Sequence, residues 1–254
     1  METALHRQLK SWYALSPECE EVWIGEFRVD AFRAGHVYEI QQGSLALLRR
    51  KTRVLLADFP VTVVKPLACE KTIFRWNAKR TKVESCRRSP KHETPLDLFD
   101  DLVHFVDIFP SAGLTIELVL GDLEEDRVPA IKRRRRSKDY RVIDRRMVTV
   151  RQQVALRSTA DLLGLLPPLP EQFTTQELAE LTELPRWKAQ KIAYCLRKTG
   201  AVDAIGKRKH SWLYAIAKVE PEQSPVVENK TAKLARKTAV TEGKVASRRK
   251  KNAA

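Results

Sequence analysis

The stretch from Glu21 to Gln41 leaves this chain little choice of local structure. Two arms rich in Val, Ile, Phe, Trp and Tyr, Glu21 to Arg33 and His36 to Gln41, meet at Ala34-Gly35. Branched and aromatic side chains favour extended backbone, and a short glycine-containing connection lets it reverse, so the pattern predicts a β-hairpin. Its flanks are equally directive. Upstream, Leu5, Leu9, Trp12 and Tyr13 fall on one face of a helix over residues 3–15, which Ser16-Pro17 ends. Downstream, Ser44 can cap a helix running to about Asp58, and Val61 to Val64 is an apolar run suited to a buried central strand. Helix, hairpin, helix, strand predicts an α/β domain with a mixed sheet and flanking helices.

The turn fixes which residues face each other. With Ala34-Gly35 at the bend, Arg33 faces His36, Phe32 faces Val37 and Asp30 faces Glu39, and alternation puts Gln41, Arg28 and Glu26 on the face of that acidic pair. Opposed like charges destabilise a ladder. Either the outer face is wet with Arg28 neutralising its neighbours, or a cation sits between the carboxylates. Hard oxygen ligands in this arrangement suit magnesium or manganese, which keep several waters and take few carboxylates from a protein.

The run Arg28-Val-Asp30, eight residues, Glu39-Ile-Gln41, then Gly43-Ser-Leu opening a helix, resembles the core of PD-(D/E)XK nucleases, above all the CoiA-like branch with its Glu-x-Gln form of the motif. The resemblance covers about residues 1–70 and implies a restriction-endonuclease-like fold. It also implies a metal-dependent hydrolysis of phosphodiester bonds in which Asp30 and Glu39 hold Mg2+ or Mn2+ and Gln41 completes the catalytic set. Gln41 stands where that family usually has lysine, and an amide carries no charge and is no base. The metal alone would then activate water, or Arg49 or Lys51 of the next helix would assist. Glu2 is a further possible ligand from the first helix.

Beyond Pro66 the periodicity weakens through a Lys/Arg-rich stretch until Thr94 and Pro95 supply N-cap and first turn of a helix carrying Leu98, Leu102, Phe105 and Val106; Leu114 to Leu120 reads as a strand. Then the charge changes. Net charge is +15, and two blocks hold nearly all of it: Lys132 to Arg151, ten Lys/Arg against two Asp, is +8, and Lys218 to Ala254, ten against four Glu, is +6. Blocks of this kind attract a polyanion such as nucleic acid, with a merely solvated tail as the alternative. The sequence therefore divides into a nuclease-like domain over 1–130, a basic linker over 131–157, a helical domain over 158–217 and a disordered basic tail over 218–254.

Within 158–217, Thr174-x-x-Glu177 is a capping box, Pro185 opens a second helix that ends at Gly200, and a hairpin follows through Gly206 to His210. This order resembles a winged helix-turn-helix. The resemblance implies DNA contacts from Arg186, Trp187, Lys188 and Lys191 on the second helix and from Lys207, Arg208, Lys209 and His210 at the wing tip, with Arg133, Arg134, Arg135 and Arg136 gripping phosphate without sequence preference. Trp212 and Tyr214 alternate with apolar residues and are expected in or half in the core.

Other chemistries find no support. GxxxxGK[ST], GxGxxG and GxSxG are all absent, which removes the usual signatures of ATP-driven, dehydrogenase and serine-hydrolase chemistry. His92, His104 and Asp107 read as structural, and Asp97, Asp100 and Asp101 as acids that suit a helix start. Cys19, Cys69, Cys86 and Cys195 form no CxxC pair and are expected as reduced thiols. No apolar run is long enough to span a membrane and Met1 to Lys10 has no signal-peptide core, so a cytoplasmic place is expected, on the nucleoid if the cell is prokaryotic. The sequence thus points to a DNA-binding protein that cuts with Mg2+ or Mn2+. The alternatives are a catalytically silent nuclease-fold protein with a transcriptional or architectural role, and an RNA binder.

Overall fold

The Ala34-Gly35 bend has the backbone its sequence demands: both residues take positive φ, +49° and +78°, and strands β3 (Ala31–Arg33) and β4 (His36–Ile40) pair with Ala31 opposite Tyr38, Phe32 opposite Val37 and Arg33 opposite His36. That is the register expected from the turn as far as Ala31, with Asp30 just outside the paired strand. The first arm, however, is broken. Gly25, at φ +57°, makes a second bend, and β1 (Trp23–Ile24) and β2 (Phe27–Arg28) form their own two-stranded ribbon. The computed structural model describes residues 2–130 and 139–217. Arg133 to Arg136 and the basic tail expected to be disordered lie outside the described residues.

From β4 the chain passes through a 3₁₀ turn, Leu45–Leu48, whose entry Ser44 caps through Ala46 N, and through α2 (Arg49–Leu55) into β5 (Val61–Trp76). β4 and β5 are parallel, as a helical crossover requires. β7 (Leu114–Pro129) runs parallel to β5 on its other side, and β8 (Tyr140–Leu156) returns antiparallel to β7. The far half of β5 also pairs with β6 (Val83–Arg88). The result is a six-stranded mixed sheet, with α1 (Ala4–Ala14) packing Leu5 and Leu9 against Ile40, Val64 and Val119. Leu55 of α2 and Leu98, Phe99 and Leu102 of α3 (Leu98–Leu102) fill a second core with Val37, Val61, Val63 and Ile116. Alternation along β5 sends Val61 and Val63 to one core and Val64 to the other.

Residues 139–157 are therefore not a linker. β8 pairs with β7 along almost its whole length, and acids of the sheet take three of the block's arginines: Arg145 meets Glu125 at 2.8 Å, Arg146 meets Asp126 at 3.1 Å, and Arg151 meets Asp122 at 2.8 Å and Glu70 at 3.1 Å. The boundary near 157 is also not a physical separation. Met1–Ala217 is one compact unit, and the main core runs without a break from Leu156 through Leu162 and Phe173 to Ile192 and Tyr214.

The last part of that unit follows the expected order. Ser158 and Thr174 close capping boxes with Asp161 and Glu177 at the starts of α4 (Thr159–Leu163) and α5 (Thr175–Thr182). Pro185 opens α6 (Arg186–Lys198), and Gly200, at φ +79°, ends it. β10 (Val202–Arg208) and β11 (Ser211–Ile216) form the hairpin, its bend at Lys209 and His210 tighter than expected, and β11 also pairs with β9 (Gln172–Thr174), a strand too short to be read in advance.

Candidate functional site

Each of the two hairpin carboxylates is held by a helix. His6 of α1 places Nε2 3.0 Å from Asp30 Oδ1, and the Ile40 amide donates to Asp30 Oδ2 at 2.8 Å. Burial alone would push the Asp30 carboxyl up; the His6 hydrogen bond and charge, the Ile40 amide and the Lys51 charge hold it below the ordinary carboxylate range. The same hydrogen bond raises the His6 imidazole against its burial. Glu39 is more deeply placed, 3% exposed. Burial, helped by the Asp30 charge, pushes its carboxyl up to about 7 against the pull of Lys51.

Lys51 of α2 forms an ion pair with Glu39 Oε1 and donates to the Arg28 carbonyl at 2.5 Å. Lys51 pulls the Glu39 carboxyl down by charge and hydrogen bond, but less than burial pushes it up. Two carboxylates close enough to influence each other thus carry opposite shifts, one low and one high. Such divergence marks sites where one fold needs both an ionised and a protonatable carboxylate.

The other polar residues expected on this face have gone elsewhere. Gln41 turns back on its own loop, donating to Ser44 O at 3.0 Å and accepting from Gly43 N at 3.3 Å. Arg28 pairs with Glu21, Glu26 with Arg50 at 2.8 Å, and Arg49 with Asp107. The dispersal of Glu26 and Arg28 follows from the break at Gly25, which takes residues before Val29 out of the hairpin. Glu2 reaches Lys10 at 2.8 Å and His6 at 3.8 Å, so it stands beside the Asp30 end. His92 Nδ1 is 2.8 Å from the Cys69 carbonyl, outside this site. His6 escapes a reading of the sequence alone, although it follows Leu5 on the helix that must pack beside the hairpin.

The second candidate region, α6 with the β10–β11 hairpin, sorts its cations by partner. Lys188 is 8% exposed and docks on Asp97 at 2.7 Å; Lys191 docks on Asp100 at 2.9 Å, while Asp101 takes the buried Lys65 at 2.7 Å. Lys188 therefore fastens α6 to the start of α3 and is not an open contact, while Lys191 forms a half-exposed pair beside it, and the three acids are anchors instead of mere helix-start charges. Arg208 pairs with Glu177 at 2.7 Å. By contrast Arg186, Lys207 and Lys209 are exposed and have no acidic partner among the described residues. Of the two aromatic residues expected in or half in the core, Trp212 is 51% exposed, whereas Tyr214 is buried against Phe173. The sequence gives no sign of Gln190, Tyr194 and Arg197 as functional residues, yet they share the open face of α6 with Arg186 at helical spacing.

The chain belongs to the family described as "Domain of unknown function (DUF8091)", which matches residues 3–157. The matched stretch runs from α1 to the end of β8, so the family unit is the sheet with its helices, and residues 158–217 lie beyond it. Over 181 residues the chain is 28% identical to an "Uncharacterized protein" of Treponema pallidum (strain Nichols), covering 70% of this chain and 72% of that one. No solved structure matches.

Proposed function

We propose that this protein binds DNA and hydrolyses its phosphodiester bonds at the Asp30–Glu39 pair, with one magnesium or manganese ion. The observation that carries the reading is the Lys51 ammonium beside Glu39. It supplies from α2 the positive charge that Gln41 cannot. The order α1, β3–β4 hairpin, α2 and parallel β5 supports a restriction-endonuclease-like core, and the order α4, α5, α6 and hairpin supports a winged helix carrying the substrate.

The residues fit such an ion. Glu39 is buried with the Lys51 ammonium on Oε1, and its carboxyl is still pushed up to about 7, so one ammonium does not fully compensate its charge. Among the described residues no group of three or more His, Cys, Asp and Glu is assembled, but magnesium needs only one or two protein carboxylates beside its waters. When bound, the ion supplies Lewis-acid stabilisation of the phosphoryl oxygens and a more acidic water. The chain's own groups do the rest: His6 and the Ile40 amide fix Asp30, and Lys51 would hold positive charge beside Glu39, toward the phosphoryl oxygens on which negative charge grows.

The test is cleavage of supercoiled plasmid and single-stranded DNA in magnesium, manganese or EDTA. Metal-dependent nicking is expected for the wild type and lost in Asp30→Ala and Glu39→Ala; Lys51→Met keeps DNA binding and loses at least about a hundredfold in rate. A second reading, a silent nuclease-fold DNA binder, draws on the engagement of both Asp30 oxygens by His6 and Ile40. Full binding with no cutting in any metal would establish it and remove the nuclease.

A further inference from the structure

α6 and β11 enclose a concavity of about 380 Å³ lined by Arg186, Gln190, Tyr194 and Arg197 from the helix and by His210 and Trp212 from the hairpin. The four helix positions are spaced four, four and three apart, so they form one stripe along the wall. No acid lines the space. Neither arginine has a hydrogen-bond or ion-pair partner among the described residues, and both are exposed. Lys207 adds a further cation, its Nζ 5.0 Å from the Trp212 ring centroid. Two free guanidiniums, an exposed indole, a phenol and an amide that reaches either way are together the chemistry of a nucleotide site: charge for phosphate, a ring for the base, an amide for its edge.

The shape favours an unpaired nucleotide over duplex. Here the helix face that carries the arginines is one wall of a hollow, with β11 as the other. Its neighbours Lys188 and Lys191 already sit on the acids of α3. An exposed indole stacks on a base only when that base has left its own stack. We propose that this concavity takes an unpaired nucleotide of a DNA strand, its base against Trp212 and its flanking phosphates on Arg186 and Arg197. The proposal rests on the reading of the protein as a nucleic-acid binder and narrows its substrate to strands with unpaired bases. A free mononucleotide shares this chemistry, so competition by AMP is part of the test.

The experiment measures binding of the full chain in EDTA, by fluorescence anisotropy, to a labelled single strand, a perfect duplex and a duplex with one bulged 2-aminopurine. Expected are tighter binding of the strand and the bulge than of the duplex and quenching of the bulged base. Trp212→Ala should lose about tenfold on strand and bulge, the effect of removing one stack, with duplex affinity unchanged; Trp212→Phe should restore most of it, and millimolar AMP should compete only weakly. Circular dichroism shows whether Trp212→Ala still folds. Equal affinity for all three DNAs, indifferent to Trp212→Ala but weakened throughout by Arg186→Ala/Arg197→Ala, would overturn the nucleotide site and leave DNA binding intact. Tight AMP binding that depends on Trp212, with no preference for strand or bulge, would also overturn it. Failure to bind any DNA would sink the nucleic-acid reading itself, and this inference with it.

Discussion

The two sides of α6 carry the same kind of charge to opposite ends. On the side facing α3, Lys188 and Lys191 meet Asp97 and Asp100; on the side facing β11, Arg186 and Arg197 meet nothing acidic among the described residues. A cation with a built partner is part of the architecture, and one without it is available to a ligand. The same sorting applies to β8, where Arg145, Arg146 and Arg151 belong to the acids of the sheet. Total basic charge therefore overstates the surface this protein can offer to phosphate. Among the described residues, exposed cations without an acidic partner remain on α6 and the wing, and also at the β5–β6 hairpin, where Lys79, Arg80, Lys82 and Arg87 stand.

The sharpest way to break this contrast is to remove an anchored cation. Lys188→Met would leave Asp97, half-buried and held below the ordinary carboxylate range against its burial by Lys188 and the Thr94 amide, without its main partner. The expected cost is about 3 kcal/mol, because a buried charge is stranded. A depressed carboxyl contributes stability above its ordinary pKa of 3.8 and loses it as pH falls through the folded value. Chemical denaturation at pH 7 and pH 3 checks both statements: the penalty should be large at pH 7 and shrink as Asp97 protonates. A loss below about 0.5 kcal/mol at pH 7 would mean that Lys188 is as dispensable as the arginines behind it.

Glu39 is the opposite electrostatic case, a charge the fold tolerates poorly. Folding raises its carboxyl from 4.5 to about 7, so the folded chain keeps a proton that the unfolded chain releases between those values. Stability from this group is complete below 4.5 and is lost as pH rises through 7. Glu39→Gln should therefore stabilise the protein at pH 8, by at most about 3 kcal/mol, and do little at pH 4. Millimolar magnesium should narrow the gap at pH 8 by stabilising only the wild type. A melting-temperature difference independent of pH would show that Glu39 does not titrate in this window.

The register of the hairpin was legible because a two-residue turn fixes every facing pair after it, and Ala31–Tyr38, Phe32–Val37 and Arg33–His36 all follow. Capping residues were legible for the same reason: Ser44, Thr94 and Thr174 each act within three residues of themselves. What escaped was long-range pairing of charge. Glu124, Glu125 and Asp126 lie beyond the strand read over Leu114 to Leu120, yet β7 carries them into ion pairs with Arg145 and Arg146 some twenty residues later. Lys188 looks solvent-facing on a helical wheel until Asp97 arrives from 91 residues away. His6 and Lys51 were obscured similarly, since each takes on meaning only when its helix is laid against the hairpin. Sequence periodicity reports whether a side chain faces apolar neighbours, not which ion of opposite sign will meet it there.

Removing the free arginines is expected to leave stability within about 0.5 kcal/mol while lowering the slope of log affinity against log salt by about 2, one for each phosphate no longer neutralised. The smallest effect should separate neighbours on the wing. The winged-helix resemblance has Arg208 touching phosphate, but it is paired with Glu177, and the pair is exposed on both sides; such pairs contribute between 0 and about 1 kcal/mol. Lys209, one residue on at the bend, has φ +56° and no acid beside it among the described residues. Arg208→Ala should then change the salt slope by almost nothing, and Lys209→Ala by about 1. If the two substitutions lower the slope equally, Glu177 releases Arg208 when DNA arrives, and the distinction between anchored and available cations fails on the wing although it holds on α6.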